Sequence, residues 1–263
     1  MIAGGVEVLP AAANLDSPAV HSGPMTAAVT STSDAVSATG LSKWIDDRPI
    51  LEGLTFGIPS GTFVALLGSN GAGKSTLLKL LSTLSPATSG ELHLFGKSVA
   101  RHGAQLRAKI GLIGHQSLLY RDLSARENLI FFGRLYGISH PAQRADQLLA
   151  AVGLSDRAND PVKAFSRGMT QRVAVARALV HSPELLLADE PFDGLDAPST
   201  VVVEQLLREL HESGKTVILV NHDVRQSLRI AQRAMVLREG LLVIDAPSDQ
   251  LGAEEVIAEM EVV

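Results

Sequence analysis

Short, unbroken apolar runs recur along this chain, and between them apolar residues return at helical spacing. Residues 63–67, 185–188 and 217–220 form such runs, each bounded by glycine or polar residues. Runs of this kind are typical of parallel strands, which are buried on both faces of their sheet. A predicted helix over 200–210 lies between the second and third runs and would supply the crossover that parallel strands need. The pattern therefore predicts an α/β fold with a parallel sheet.

Other predicted elements surround this core. Further strands are predicted at 35–41, 51–58, 91–95, 234–237 and 241–244, of which the last two form a hairpin. Residues 118–182 are predicted to be mostly helical, because apolar residues recur at helix spacing, as in Leu129, Phe132 and Leu135. We therefore expect a helical subdomain over about 117–182.

The two ends of the chain differ from its centre. Residues 1–34 are rich in Ala, Ser, Thr and Pro and contain no Lys or Arg, which predicts a disordered tail. They also lack the positive charge of a secretory signal or a mitochondrial presequence. Both Met1 and Met25 are candidate start residues, and the sequence leaves this open. We expect one nucleotide-binding domain over 35–250 and a C-terminal tail over 251–263.

Composition narrows the possible functions. The chain has no cysteine, which excludes a disulfide framework, a thiol nucleophile and a cysteine metal site. The formal net charge of -5 gives no sign of a nucleic-acid footprint. No apolar stretch is long enough to span a bilayer, so we expect any membrane-embedded part to be a separate subunit. Six histidines show no metal-ligand spacing and are interpreted as ordinary residues: His93, His102, His115, His140, His181 and His211.

A glycine-rich loop between a predicted strand and a predicted helix carries the strongest chemical signal. It has the pattern of phosphate-binding loops, which is Gly, four residues, then Gly-Lys-Ser/Thr. Glycines let backbone N–H groups close around phosphate oxygens, and the helix N-terminus adds partial positive charge. Lys74 is long enough to reach the β- and γ-phosphates, and the Ser75 hydroxyl can ligate Mg²⁺. The candidate nucleotide-binding residues are Gly68, Ser69, Asn70, Gly71, Ala72, Gly73, Lys74, Ser75 and Thr76.

Two carboxylates end the apolar run 185–188. Asp189 is a candidate metal residue, because a carboxylate at such a strand end can hold Mg²⁺ directly or through water. Glu190 is the candidate base that orients or deprotonates an attacking water. Taken alone, the pair is about as well explained by an acidic turn, but the phosphate loop in the same chain favours catalysis.

A third motif lies shortly before these carboxylates, where Ser166 is predicted to cap a helix. With the phosphate loop and the Asp-Glu pair, this order of motifs resembles the ATP-binding subunits of ABC transporters. The family's signature is Leu-Ser-Gly-Gly-Gln, and this chain has Phe-Ser-Arg-Gly-Met over 165–169. The resemblance implies that Ser166 and Gly168 bind the γ-phosphate of ATP held by a second subunit. Arg167 adds a charge near that phosphate, and the sequence leaves its effect open.

The resemblance also implies roles for three loop residues. Gln116 falls at the family's glutamine loop, where it is expected to touch Mg²⁺ or water and to relay to a membrane partner. Asp196, which ends the Asp-Gly-Leu-Asp of 193–196, is expected at a dimer interface. His222 matches the switch histidine that contacts the γ-phosphate. Alone, each of these would more often be an ordinary surface or core residue.

The contact with the base is the least complete part of the match. The family places an aromatic residue ahead of the phosphate loop, where it stacks on adenine. Comparison without gaps puts Ile45 at that place, with Trp44 one residue earlier. Trp44 is the only tryptophan, and it can either stack on the base or pack within the fold.

The resemblance covers about residues 35–250 and implies a complete set of expectations. The fold would be an α/β P-loop (RecA-like) ATPase core with an antiparallel β subdomain and a helical subdomain. The reaction would be ATP hydrolysis with ATP and Mg²⁺. The partners would be a second copy in the ATP-bound state and integral membrane permease subunits, without nucleic acid. The location would be peripheral, at the cytoplasmic face of the cell (inner) membrane.

Two subfamilies are similar to this chain. Residues 114–120, 123–129 and 132–137 resemble CcmA, the ATPase of the haem exporter in cytochrome c maturation. The Ser-Arg-Gly-Met of the signature also resembles subunits of multidrug and other small-molecule exporters. We therefore expect haem export, with small-molecule export as the alternative, and we expect the membrane subunit to select the cargo.

Two other classes of P-loop protein compete with the transporter interpretation. Soluble ABC ATPases of translation or DNA repair typically carry two ATPase units or a long coiled coil, whereas this sequence shows one phosphate loop and no repeat. A GTPase would be expected to show a guanine-reading Asn-Lys-x-Asp, which is absent from this sequence. A P-loop kinase would need an acceptor site, and the sequence shows none. We therefore expect an ABC exporter ATPase.

Overall fold

The computed structural model describes residues 34–261 of the chain. Within this range there are ten strands: β1 (Asp34–Ile45), β2 (Arg48–Pro59), β3 (Phe63–Gly68), β4 (Ser89–Leu94), β5 (Lys97–Ser98), β6 (Ile110–Ile113), β7 (Leu185–Asp189), β8 (Thr216–Val220), β9 (Arg233–Arg238) and β10 (Leu241–Pro247). The same range holds eight α-helices: α1 (Lys74–Leu81), α2 (Val99–Leu106), α3 (Ala125–Leu135), α4 (Pro141–Ala151), α5 (Arg167–Ala178), α6 (Ala197–Glu212), α7 (Val224–Ile230) and α8 (Ala253–Glu261). The tail predicted over 1–34 lies outside the described residues except for Asp34, which begins β1.

The larger sheet has six strands in the order β10-β9-β3-β8-β7-β6. All of its neighbouring strands pair in parallel except β10, which forms the predicted hairpin with β9. Alternate residues of β3 pack in two different hydrophobic clusters. Val64 and Leu66 belong to one cluster, and Phe63, Ala65 and Leu67 belong to the other. The sheet is therefore buried on both faces, which is why its strands are unbroken apolar runs.

The register of the parallel strands decides which loops meet. Leu66 of β3 pairs with Val220 of β8, and Val220 pairs with Asp189 of β7. Ile113 of β6 pairs with Ala188, one residue earlier in β7. Because parallel strands end at the same edge of a sheet, the loops after β3, β6, β7 and β8 leave side by side. This edge carries the candidate site.

The smaller sheet is antiparallel, with the order β2-β1-β4-β5. It packs with α1 over one face of the larger sheet, in a core that includes Leu51, Ile58, Leu77 and Leu94. The turn between β9 and β10 joins this sheet to the phosphate loop, because Gly240 accepts from the Glu52 N–H and donates to the Ala72 carbonyl. The predicted antiparallel β part is thus directly attached to the candidate site.

The opposite face of the larger sheet is covered by α3 to α8, and α3, α4 and α5 lie within the region predicted to be helical. A capping box of Ser124 and Glu127 starts α3. Asn128, one residue later and fully buried, accepts from the Tyr120 N–H at 2.8 Å and donates to the Tyr120 carbonyl at 2.9 Å. The loop that follows β6 is therefore fixed to α3 by one buried amide.

The helix α8 contradicts the tail predicted over 251–263. Residues Ala253–Glu261 form a helix, and its Val256 is fully buried. Arg238 of β9 pairs with Glu259 at 2.5 Å. The segment does carry apolar residues at helical spacing, which are Ala253, Val256, Ile257 and Met260, and the prediction overlooked this pattern.

Candidate functional site

The loop between β3 and α1 has a backbone shape that requires glycine at two positions. Gly73 precedes α1 with φ of 104°, and a Cβ there would lie 2.9 Å from the Ile50 carbonyl oxygen. A Cβ on Gly68 would lie 2.3 Å from the Leu237 carbonyl oxygen. No side chain caps α1, so the N–H groups of its first turn are available to a ligand. The loop therefore presents backbone donors of the kind that bind phosphate.

Lys74 lies across this loop. Its Nζ donates to the carbonyl oxygens of Gly68 at 2.7 Å and Ser69 at 2.8 Å. Burial lowers the pKa of the Lys74 ammonium, while the nearby carboxylates of Glu190 and Asp189 raise it. The predicted lysine and the two predicted carboxylates are therefore brought together in space.

Asp189 is the last residue of β7 and is buried. Its Oδ2 lies 3.4 Å from His115 Nε2, and its Oδ1 is buried without a hydrogen-bond partner among the described residues. A buried carboxylate oxygen without a partner is unfavourable unless a cation or a donor reaches it. Ser75 is the second residue of α1, which follows the loop after β3 at the same edge of the sheet. Carboxylate and hydroxyl oxygens are ligands that Mg²⁺ prefers, so these residues fit that ion.

Glu190 has a left-handed backbone, with φ of 50°. Its N–H donates to the Val220 carbonyl at 2.9 Å, which ties it to the end of β8. Its Oε2 lies 3.9 Å from Nδ1 of the exposed His222, a separation too long for a hydrogen bond. Glu190 thus has His222 on one side and the charge of Lys74 nearby, as a general base beside a phosphate site would need.

The loop after β6 holds a residue that sequence reasoning missed. His115 and the adjacent Gln116 are both exposed, and His115 contacts Asp189. The interpretation of His115 as an ordinary residue did not foresee this contact. The contact arises because β6 pairs with β7, and local spacing carries no signal of a pairing between distant segments.

The segment 165–169 forms the start of α5. The Ser166 hydroxyl accepts from the Met169 N–H at 3.2 Å, so the predicted helix cap is confirmed. A cleft of about 330 Å³ lies against this turn, and its lining includes His115, Arg167 and Glu190. Within one chain the signature turn therefore borders the same cleft as the candidate base.

Asp196 has a local role in the fold. It caps α6, and its Oδ1 accepts from the Ser199 N–H at 3.0 Å. Hydrogen bonds from Ser199 hold the pKa of the Asp196 carboxyl below its usual value. The carboxylate is exposed and charged, and its place at a dimer interface stays a prediction.

Trp44 lies on the hairpin of β1 and β2. It pairs with Pro49, one residue before Ile50, whose carbonyl oxygen lies against Gly73 of the phosphate loop. The side chains of Trp44 and Ile45 are both 47% exposed. Either is therefore accessible to a base beside the loop, and only Trp44 offers an aromatic ring.

Comparison with known proteins adds three findings. The family model described as "ABC transporter" matches residues 51–193. The chain is 35% identical over 226 residues to the linearmycin resistance ATP-binding protein LnrL of Bacillus subtilis (strain 168), covering 84% of this chain and 73% of that protein. It is 42% identical over 223 residues to the phosphonates import ATP-binding protein PhnC of Trichormus variabilis, covering 80% of this chain and 91% of that protein.

The fold is also similar to that of solved structures. One is the dimeric post-hydrolysis state of the ATP-binding cassette MJ0796, bound to ADP and Pi. The TM-score is 0.74 at 29% sequence identity, and the likeness covers 81% of this chain and 98% of that one. The architecture therefore matches a cassette that holds the products of ATP hydrolysis.

Proposed function

Because this chain belongs to the ABC transporter family as a subunit that hydrolyses ATP with Mg²⁺, we propose that it powers a separate membrane permease that exports a small molecule. The observation that carries the proposal is the meeting of Lys74, Asp189 and Glu190 at the edge where β3, β7 and β8 end. ATPase subunits of this family dimerise and work with membrane permease subunits.

We assign Mg²⁺ binding to Ser75, Asp189 and Gln116. The support is the buried, unpartnered Oδ1 of Asp189, which needs a cation or a donor. Gln116 follows β6, which pairs with β7, so its loop reaches the same edge. When bound, Mg²⁺ would neutralise phosphate charge. The role of this chain is to hold the ligating oxygen atoms beside the phosphate loop.

We assign the hydrolytic step to Glu190 and His222. The Glu190 carboxylate takes a proton from the attacking water, and its backbone bond to Val220 keeps it in place for that transfer. His222, 3.9 Å from Glu190, contacts the γ-phosphate. Lys74 and the N–H groups at 68–76 bind the phosphates, and this positioning lowers the barrier by electrostatic stabilisation.

We infer that two copies form the complete site. A helix N-terminus binds anions through its free N–H groups, and the first turn of α5 at Ser166 and Gly168 presents such groups, since the Ser166 cap occupies only the Met169 N–H. In a head-to-tail pair, each copy would offer this turn to the γ-phosphate held by the other, with Asp196 at the interface. The likeness to a dimeric cassette supports this arrangement. Trp44 is assigned to the adenine of the ATP held by its own copy.

We propose that the permease docks on an apolar patch of the helical part. Five large apolar residues there are 41–70% exposed: Leu118, Tyr120, Phe131, Leu135 and Tyr136. The rings of Tyr120 and Phe131 meet edge to face at 5.0 Å, so the patch is continuous at its centre. Exposed apolar patches mark interaction surfaces. The patch starts two residues after Gln116, which would couple docking to the site.

The proposed location follows from this partner. Among the helices of residues 34–261, none has the length and apolarity that crossing a membrane requires. We propose a peripheral subunit held at the cytoplasmic face of the cell membrane by its permease.

Two observations bear on the cargo class, which are the names of the relatives and the signature motif. The relatives named above differ in direction, since one is named for antibiotic resistance and the other for phosphonate import. We propose export, because the Ser-Arg-Gly-Met of 166–169 resembles small-molecule exporters. Haem export in cytochrome c maturation is the second candidate, which the resemblance of 114–120 and 123–129 to CcmA favours.

The test is capture of the membrane partner. Tagged Glu190→Gln protein is incubated with ATP and Mg²⁺ in gently solubilised native membranes, and bound proteins are identified by mass spectrometry. Lys74→Ala, which should not load ATP, is the matched control. We expect ATP-dependent enrichment of one small-molecule exporter permease. Cytochrome c maturation proteins in the same fraction would select haem export, and capture of no membrane protein would contradict the transporter role.

A second variant pair tests the docking patch. Leu135→Glu places a charge in the patch, whereas Val201→Glu does the same at an apolar residue of α6 that is 63% exposed and lies outside it. We expect Leu135→Glu to reduce permease capture at least five-fold and Val201→Glu to leave it unchanged. Equal capture by both variants would move the docking site elsewhere.

A further inference from the structure

Arg167, in the signature turn, makes a specific contact with the loop after β7. Its Nη2 lies 2.5 Å from Asp193 Oδ2. The Arg167 side chain is 72% exposed and that of Asp193 is 46% exposed, so the pair is at the surface. A charge-assisted bond of this length is directional, and it joins α5 to residues 190–196 within one chain.

The stem of the Arg167 side chain also lies flat on Gly194. A Cβ at Gly194 would be 2.4 Å from Arg167 Nε and 2.6 Å from its Cδ, so any larger residue would displace the guanidinium. Gly194 also has φ of 72°, which glycine adopts without strain. Arg167 is therefore matched in charge by Asp193 and in shape by Gly194.

Two further contacts join the same segments. Gln171 Nε2 donates to the Pro191 carbonyl at 3.3 Å. The position of a Cβ on Gly168 lies 3.8 Å from the Gly194 carbonyl oxygen and 3.7 Å from Leu195 Cδ2. The first turns of α5 thus touch the loop at several points, and Arg167 joins them by an ion pair with Asp193.

Loop 190–196 and the first turn of α5, which these contacts join, carry residues assigned to two different ATP molecules. Loop 190–196 begins with Glu190, the assigned base for ATP bound by the same copy. The turn at 166–168 is assigned to ATP bound by the other copy. A rigid link between them would make the position of the base depend on whether the signature turn is engaged.

We propose that Arg167 is a positioning residue whose charge is taken up by Asp193, and that it holds loop 190–196 on α5 instead of binding phosphate. This rests on the proposed assignment of Glu190 as the base. It also answers what the sequence leaves open, because a guanidinium paired with Asp193 and lying along Gly194 is turned toward its own chain.

Kinetics of the full chain test the proposal through a mutant cycle. The variants are Arg167→Ala, Asp193→Ala, the double alanine variant, Arg167→Lys and the charge swap of Arg167→Asp with Asp193→Arg. We expect each single alanine variant to lower kcat about two- to five-fold with an unchanged KM for ATP. The double variant should be no slower than either single one, while the lysine variant and the charge swap should recover most of the rate.

A different pattern would overturn the proposal. If Arg167 binds phosphate, Arg167→Ala raises KM, Asp193→Ala does not reproduce it, and the swap rescues nothing. Independent effects would multiply in the double variant. Rates equal to wild type in both single variants would also overturn it.

Hydrogen exchange provides a readout that does not depend on turnover. Deuterium uptake of the backbone over 190–196 should rise in both Arg167→Ala and Asp193→Ala, and should return to the wild-type level in the charge swap. Melting temperature should stay within about 2 °C, because an exposed ion pair contributes little to global stability. Unchanged exchange overturns the link, whereas a Glu190→Gln variant that hydrolyses ATP at the wild-type rate would count against the Glu190 assignment alone.

Discussion

Replacing Asn128 with alanine is expected to destabilise the segment that joins the loop after β6 to α3. The side chain is fully buried, and its amide makes four hydrogen bonds to backbone groups of Tyr120, Leu123 and Ser124. Because this loop follows Gln116 and carries part of the proposed docking patch, its geometry affects both the site and the partner surface.

The expected loss of stability depends on which backbone groups lose a hydrogen-bond partner when the Asn128 amide is removed. The carbonyls of Ser124, Leu123 and Tyr120 keep other donors, which are the N–H groups of Asn128, Val162 and Leu123. The Tyr120 N–H loses its partner without a replacement. Leaving one such donor unpaired costs about 1–3 kcal/mol. For a domain of this size that corresponds to a fall in melting temperature of about 2–12 °C.

Thermal unfolding followed by circular dichroism measures this effect. The matched control is Asn159→Ala, an exposed asparagine near the same helices, which should change stability by less than about 0.5 kcal/mol. If the two variants melt within 1 °C of each other (roughly the 0.5 kcal/mol limit), the buried amide has no special role and the reasoning fails.

The pH dependence of Asn128→Asp gives a second, independent check. An ionised carboxylate would face the Tyr120 and Ser124 carbonyl oxygens, so folding should raise its pKa above the unfolded value. The stability of this variant relative to Asn128→Ala should therefore be greatest below the unfolded pKa and should be lost as pH rises through the folded pKa. The opposite slope would show that the carbonyls do not face this side chain.

Three other substitutions test separate parts of the structure. Glu190→Gln should keep ATP binding and lower kcat by roughly 10²–10⁴-fold, and an unchanged turnover rate would remove Glu190 as the base. Trp44→Ala should weaken binding of a fluorescent ATP analogue about 2–10-fold while Trp44→Phe retains it; equal affinities in all three proteins would show that the ring only packs. Val256→Ala should lower the free energy of unfolding in urea by about 1–2 kcal/mol, whereas a loose C-terminal segment would show no change.

Sequence reasoning predicts well those parts of the site in which a functional residue and the strand or helix that positions it lie in one short segment of the chain. The phosphate loop has its strand before it and its helix after it, and Asp189 ends an apolar run. Ser166 caps the helix that immediately follows it. In each case the local pattern contains both the residue and the geometry that presents it.

The parts that sequence reasoning misses depend on contacts between distant segments. His115 meets Asp189 only because β6 lies beside β7. Arg167 meets Asp193 because α5 packs on the loop after β7, and neither periodicity nor spacing encodes that contact. The last helix escaped prediction for another reason, since the helical spacing of Ala253, Val256, Ile257 and Met260 is a short pattern that was overlooked.

The left-handed backbone of Glu190 has a consequence for evolution and engineering. A non-glycine residue in this conformation costs about 1–3 kcal/mol, and the cost is paid at the residue assigned to the chemical step. Asparagine and glycine adopt the same conformation more easily. A screen of random variants for heat resistance alone should therefore enrich Asn or Gly at 190, and the survivors should be more stable proteins that no longer turn over ATP.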